Sequence, residues 1–181
     1  MVYLVIRTAA TPIDQVIKPM YRFSRMQRVL ISQFRRYEST IHCTGSIQRY
    51  TPEMTFHLKV GDDLHWKRTI SQKLIDQFAD VTCDHNPIHS STSNGQSIAH
   101  GMLYGSMFSA MIGTHLPGTI YLKQTLQFHS PVPADTQVEA IITITRLFHS
   151  RRIAVLSTTI VSPSKKLLCS GEATISLPSL S

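Results

Sequence analysis

The sequence predicts an α+β domain in which a mainly antiparallel sheet wraps one buried helix. Three observations predict it. An almost wholly apolar helical stretch, Met102–His115, carries a stripe of small residues; four β-rich segments follow it, separated by short turns; and one strand and one amphipathic helix precede it. With 181 residues, 42% hydrophobic and 16% charged, the chain has the composition of a globular protein of one ordinary domain with an appendage.

Leu58 to Ile70 contains a turn around Gly61-Asp62-Asp63, then a strand with Leu64, Trp66 and Ile70 on one face. Ser71 is placed to cap a helix in which Leu74, Phe78 and Val81 recur at helical spacing. The polar segment Cys83–Ser97 must be a loop, because Pro87 disfavours helix at Asn86 and Asn94-Gly95 is a turn signal. In the second helix Gly105, Ser109 and Gly113 repeat every four residues, with Ser106 and Ala110 beside them. Such a stripe lets a backbone pack close to its neighbour, and Pro117-Gly118 ends the helix.

In the first strand after it, Ile120, Leu122, Leu126 and Phe128 alternate with polar residues. Val138–Leu147 is rich in Ile and Thr, Ile153–Val161 is rich in β-branched residues, and Cys169, Gly171, Ala173 and Ile175 share one face of the last strand. Turn-like segments at Ser130–Asp135, Phe148–Arg151 and Ser162–Lys166 separate them.

The net charge of +7 is unevenly placed. Residues 1–49 hold eight basic and two acidic side chains, a net +6, whereas residues 50–181 hold ten and nine, a net +1. Between Met20 and Tyr37, Phe23, Met26, Leu30 and Phe34 interleave with five arginines in a basic amphipathic helix pattern. An Arg-rich, Ser-containing, acid-poor front end is the composition of a mitochondrial transit peptide, here with a cut expected near Arg35-Arg36-Tyr37. A solvated tail or a surface-binding helix is the plainer alternative. The expected division is therefore residues 1–49 as leader and linker, and residues 50–181 as the working domain, in the mitochondrial matrix. A near-neutral body argues against nucleic-acid binding, and no apolar run approaches a membrane span. Cys43, Cys83 and Cys169 are odd in number and form no C-x-x-C pair, which argues against a disulfide framework or a cysteine zinc site.

Chemistry concentrates in Asp84-His85-Asn86-Pro87-Ile88-His89. A loop can fold a carboxylate and an imidazole toward one point, as paired acid–base work requires. His100-Gly101-Met102 opens the second helix, where unpaired N–H groups at the positive dipole end can stabilise an oxyanion. Plainer readings stand beside these. Asp84 and Asn86 are common turn caps. His85, His89 and His100 match no standard zinc spacing, and Ser90, Ser91 and Ser106 lack a G-x-S-x-G elbow.

The run Phe78-Ala-Asp-Val-Thr-Cys-Asp-His-Asn-Pro-Ile-His89, followed by Ile98-Ala-His-Gly-Met-Leu103, resembles the motif of the MaoC-like (R)-specific enoyl-thioester hydratases. The resemblance continues through Leu116-Pro-Gly118, Phe128-His-Ser-Pro-Val132 and Gly171-Glu-Ala173, and spans about residues 56–178. With the basic leader, the chain is most similar to the mitochondrial 3-hydroxyacyl-thioester dehydratases of type 2. The resemblance implies a hotdog fold and a homodimer; no cofactor or metal is expected. It also implies reversible dehydration of (R)-3-hydroxyacyl thioesters, carried on acyl carrier protein or coenzyme A, in mitochondrial fatty acid synthesis. It places catalysis on Asp84 and His89, an oxyanion-hole N–H on Gly101, loop support on Asn86 and pocket lining on Ser106. Three departures bear on pocket shape: Cys83 stands where a Gly is frequent, Ser91 where an acid is frequent, and the stretch from His89 to His100 is short. The alternatives are a hotdog acyl-thioesterase and a non-catalytic acyl-thioester-binding subunit whose shortened loop has closed the pocket.

Overall fold

The computed structural model describes residues 41, 43–47, 58–90 and 95–178. The basic segment Met20–Tyr37, the expected cut near Tyr37, Ser91 and Asn94 lie outside them. The described elements are, in order, β1 (Asp63–Ile70), α1 (Gln72–Thr82), a 3-10 turn (Pro87–His89), α2 (Gly101–His115), β2 (Ile120–Phe128), β3 (Thr136–Phe148), a 3-10 turn (His149–Arg151), β4 (Ile153–Val161) and β5 (Leu167–Ser176). The five strands form one sheet in the order β1-β3-β4-β5-β2, and each neighbouring pair is antiparallel. Helix α2 touches β1 and β2, the two edges, as well as β3. A sheet whose opposite edges both reach one helix must curl around it, and this is the hotdog arrangement.

Burial holds the wrap together. Met107, Phe108, Met111 and Ile112 of α2 are at most 1% exposed and meet Leu64, Ile142, Ile144, Leu156 and Ile160 of the sheet in one core cluster. Each such side chain contributes about 1.5–3 kcal/mol. β2 and β5 come so close at Gly171 that a Cβ there would lie 1.8 Å from the Thr125 carbonyl oxygen, so this position accepts no side chain. At the other edge, Thr44 bridges His65 of β1 and Ile47 is 5% exposed, so Cys43–Ile47 forms a strap on the body. All three cysteines are free thiols. Among the described residues, no helix is long and apolar enough to cross a membrane.

Ser71 caps α1 as expected, accepting the Leu74 N–H. Three details depart from the sequence reading. In α1 the fully buried residues are Ile75 and Ala79, while Val81 is 83% exposed, because the helix is turned so that Phe78 reaches the pocket described below. Helix α2 is not covered all round. Met102, Ser106, Ser109 and Gly113 face outward; of the two stripe glycines, a Cβ at Gly113 would meet nothing within 4 Å, whereas one at Gly105 would meet the Leu126 side chain. In β2 the register shifts between Tyr121 and Lys123, which breaks the alternation at Leu122. Tyr121 and Leu126 turn inward, and Ile120 and Leu122 are left 63% and 53% exposed.

Candidate active site

Helix α1 ends at Cys83, a non-glycine residue in the left-handed region at φ 59°. The chain then reverses into the loop. Thr82 Oγ1 donates to the Phe78 carbonyl and accepts the Asp84 N–H. Asp84 Oδ1 accepts the Asn86 N–H, and Asn86 Oδ1 accepts the Ile88 N–H at the start of the 3-10 turn. These short Asx-type bonds close the loop on itself and leave Asp84 Oδ2 free of them. Asn86 thus sits under the loop, capping the turn that delivers His89.

His89 is fixed from two sides. Gln72 Nε2 of α1 donates to the His89 carbonyl, and the His89 ring donates from Nδ1 to the Ile98 carbonyl at 2.6 Å. A carbonyl only accepts, so Nδ1 carries a proton, and in the neutral ring Nε2 offers a lone pair. The short segment before α2 is pinned in turn: Ala99 N–H donates to Val132, Ala134 N–H donates to the Ser97 carbonyl, and the Ser97 hydroxyl bonds Gln72 Oε1.

Asp84 Oδ2 lies 3.8 Å from His89 Nε2 and 3.8 Å from His100 Nε2. His100 is 3% exposed. Its ring stacks on that of His89, with centroids 3.5 Å apart, and its Nε2 donates to the Asp84 carbonyl at 3.1 Å. Phe78 packs against its other side at 5.1 Å between centroids. The three side chains open onto a pocket of about 230 Å³, closed by Phe78, Thr82, Gly101 and Met102.

Gly101 is the first residue of α2, so its N–H and that of Met102 have no partner four residues back. The N-cap, His100, makes no side-chain cap, which leaves these amides unoccupied from that side. A Cβ at Gly101 would stand 2.9 Å from the Phe128 ring, so glycine lets the helix start approach β2 without displacing that ring. The structure thus brings Asp84, His89, Asn86 and Gly101 together. Ser106 is exposed on the open face of α2, outside this pocket's wall, and its hydroxyl donates to the Leu103 carbonyl.

In the sequence His100 reads as the residue opening the second helix and as a candidate metal ligand, not as a partner of the Asp84 loop, and Gln72 carries no mark of the site. The signal available for His100 was a large aromatic cation-former at a helix N-cap, a position that favours Ser, Thr, Asp or Asn.

Asp84, His89 and His100 offer ligand atoms within 4.8 Å of one another, close enough to share a metal ion. For His100 to ligate through Nε2, its proton would move to Nδ1, which is buried with no hydrogen-bond partner. That leaves a buried N–H unpaired, a cost of about 1–3 kcal/mol, which disfavours three-point ligation. A carboxyl group beside an imidazole, facing the N-terminus of a helix, is instead suited to moving protons next to a developing oxyanion.

Residues 58–163 match the MaoC like domain family. An (R)-specific enoyl-CoA hydratase of Rhodospirillum rubrum is 36% identical over 129 residues, covering 67% of this chain and 89% of that protein. A mitochondrial 3-hydroxyacyl-[acyl-carrier-protein] dehydratase of Arabidopsis thaliana is 34% identical over 132 residues, covering 68% of this chain and 80% of that protein. Among solved structures, an (R)-hydratase from A. caviae superposes with a TM-score of 0.63 at 35% identity, covering 67% of this chain and 98% of that one. On its sequence, its fold and the matched span, the chain belongs to the MaoC-like domain family of hotdog hydratases and dehydratases.

Proposed function

We propose that this protein is a lyase that interconverts (R)-3-hydroxyacyl thioesters and trans-2-enoyl thioesters, with Asp84 and His89 as the catalytic pair. The observation that carries the proposal is the facing of Asp84 Oδ2 and His89 Nε2 across 3.8 Å, at the mouth of a pocket that also meets the start of α2. In dehydration, the pair takes the proton from C2 and supplies one to the C3 hydroxyl, which leaves as water. The electron pair of the C2–H bond forms the C2–C3 double bond. The charge that builds on the thioester oxygen is met by the Gly101 N–H at the positive end of α2. In hydration the same groups activate water and return the proton to C2. Asn86 holds the loop.

The family supports the thioester; the carrier is coenzyme A or acyl carrier protein. Arg151 and Arg152 follow β3 while Lys165 and Lys166 precede β5, so these residues sit at opposite ends of the hairpin strand β4 and form no single patch for an acidic carrier. The basic leader and the mitochondrial relative support a role in mitochondrial fatty acid synthesis. Removal of the leader before Cys43 would leave the strap on β1 intact. A homodimer is supported by β2, an edge strand that exposes Ile120, Leu122 and Phe128 on a molecule whose central helix also keeps one open face.

Incubation with crotonyl-coenzyme A and its carrier-protein counterpart tests the reading. Loss of enoyl absorbance with no free thiol is the expected result. Free thiol would indicate a thioesterase, and tight binding without turnover a non-catalytic subunit; either outcome would overturn the proposal.

A further inference from the structure

We propose that His100 is the positioning residue of this site, aligning the Asp84 loop, the His89 ring and the Gly101 amide with one another. The inference rests on the hydratase reading for its kinetic consequences, but its geometry stands apart from it.

His100 is 3% exposed, and its bonds are committed. Nε2 donates to the main-chain carbonyl of Asp84, so the imidazole holds the backbone from which the carboxylate projects. Its ring lies on that of His89 at 3.5 Å and 25° between planes. The Nδ1–H bond to Ile98 pins one edge of the His89 ring but still allows tilt about that bond. A parallel neighbour removes the tilt, so bond and stack together leave His89 Nε2 one direction to point. Phe78 backs His100 from a third direction and keeps the stack closed.

The third connection is covalent. His100 is the N-cap of α2 and precedes Gly101, yet it makes no side-chain cap. An ordinary N-cap side chain accepts from the amide two or three residues on, competing with any oxygen brought to the helix start. His100 instead turns its side chain back to the Asp84 loop. One residue thereby ties the carboxylate, the base and the amide donors into one unit. It is not itself placed to move substrate protons, because Nε2 is engaged by the Asp84 carbonyl and Nδ1 is buried without a partner.

The test uses the purified protein, with His100→Phe keeping a stackable ring but no donor, and His100→Gln keeping a donor but no ring. Steady-state kinetics on crotonyl-coenzyme A are expected to give a kcat reduced about 10–100-fold in His100→Phe, with KM within about 3-fold, and an intermediate kcat in His100→Gln. The second readout is the imidazole nitrogen spectrum of His89. It should report one Nδ1–H species in the native protein and mixed or shifted species in both variants. A kcat within about 2-fold of native in both variants, or an unchanged His89 spectrum, would overturn the proposal. If His100→Phe fails to fold, His100→Gln and its spectrum decide alone. If the native protein does not hydrate the thioester, the functional reading fails, and the His89 spectrum still decides the positioning role.

Discussion

Asp84 Oδ2 stands 3.8 Å from His89 Nε2, too far for a direct hydrogen bond and near enough for a single oxygen atom to touch both. An oxygen at ordinary hydrogen-bond distance from each fits that gap. A C3 hydroxyl or a water oxygen there would meet an acceptor on one side and an imidazole on the other. The residues behind the pair set the gap: Asn86 and the 3-10 turn below, Gln72 and Ile98 beside His89, and His100 across from it.

Gly101→Ala should lower both stability and turnover. Its Cβ would stand 2.9 Å from the Phe128 ring, and Phe128, 45% exposed, has room to swing outward. A loss of no more than about 1 kcal/mol is expected from moving that ring, with a fall in kcat as the amide shifts. Pairing the change with Phe128→Ala should recover part of the stability in a double-mutant cycle by thermal unfolding; strict additivity would mean that the two positions do not touch.

Gln72→Leu removes the donor to the His89 carbonyl and the acceptor for the Ser97 hydroxyl while keeping similar bulk. We expect a cost of about 1–2 kcal/mol and a kcat loss larger than the change in KM. Calorimetry and steady-state kinetics together check this, and an unchanged kcat would show that the His89 backbone needs no anchor from α1.

Acid should weaken the fold through β1 and β3. The Ser46 backbone N–H, then His65, hold the Asp63 carboxyl below its ordinary 3.8, and the Lys165 ammonium holds that of Glu139 below its ordinary 4.5. A carboxyl lowered on folding stabilises the fold above its ordinary value, and that share is lost as the pH falls through the lowered value. Glu139→Gln should therefore unfold more readily than the native protein near neutral pH, and the difference should shrink as the pH falls below the ordinary 4.5. Denaturant midpoints across that range are the measurement; a difference that grows in acid would reverse the sign.

Gly171→Ala should be the most damaging single change in the sheet. Its Cβ would fall 1.8 Å from a backbone oxygen of β2, which no side-chain rotation can relieve. Loss of the β2–β5 pairing is expected, read as a large drop in thermal midpoint and rapid amide exchange in β2. Near-native exchange there would contradict the close approach.

Much of this was legible in residue patterns because it is local. The Ser71 cap, the Pro87 loop, the alternation in β5 and the β-branched β3 and β4 follow from short-range sterics and pairing. What was not legible depends on contacts between distant segments. The bulge that sends Ile120 and Leu122 outward has no local mark, since those residues read as the inner face. The open face of α2 is apolar or small like its buried faces, so composition alone could not say which the sheet would cover. His100 joined the site only when the Asp84 loop folded back on it, and Gln72 only when α1 came to lie beside the Ser97 segment.

The central claim is that Asp84 and His89 carry out stereospecific proton movement on an enoyl thioester. The most direct measurement is the hydration rate on crotonyl-coenzyme A for the native protein, Asp84→Asn and His89→Ala, with the product resolved by chirality. The native protein is expected to give the (R)-3-hydroxybutyryl thioester and each variant to lose about 100-fold or more, with thermal midpoints little changed for Asp84→Asn because that side chain is 52% exposed. Near-native rates in either variant, or an (S) product, would contradict it.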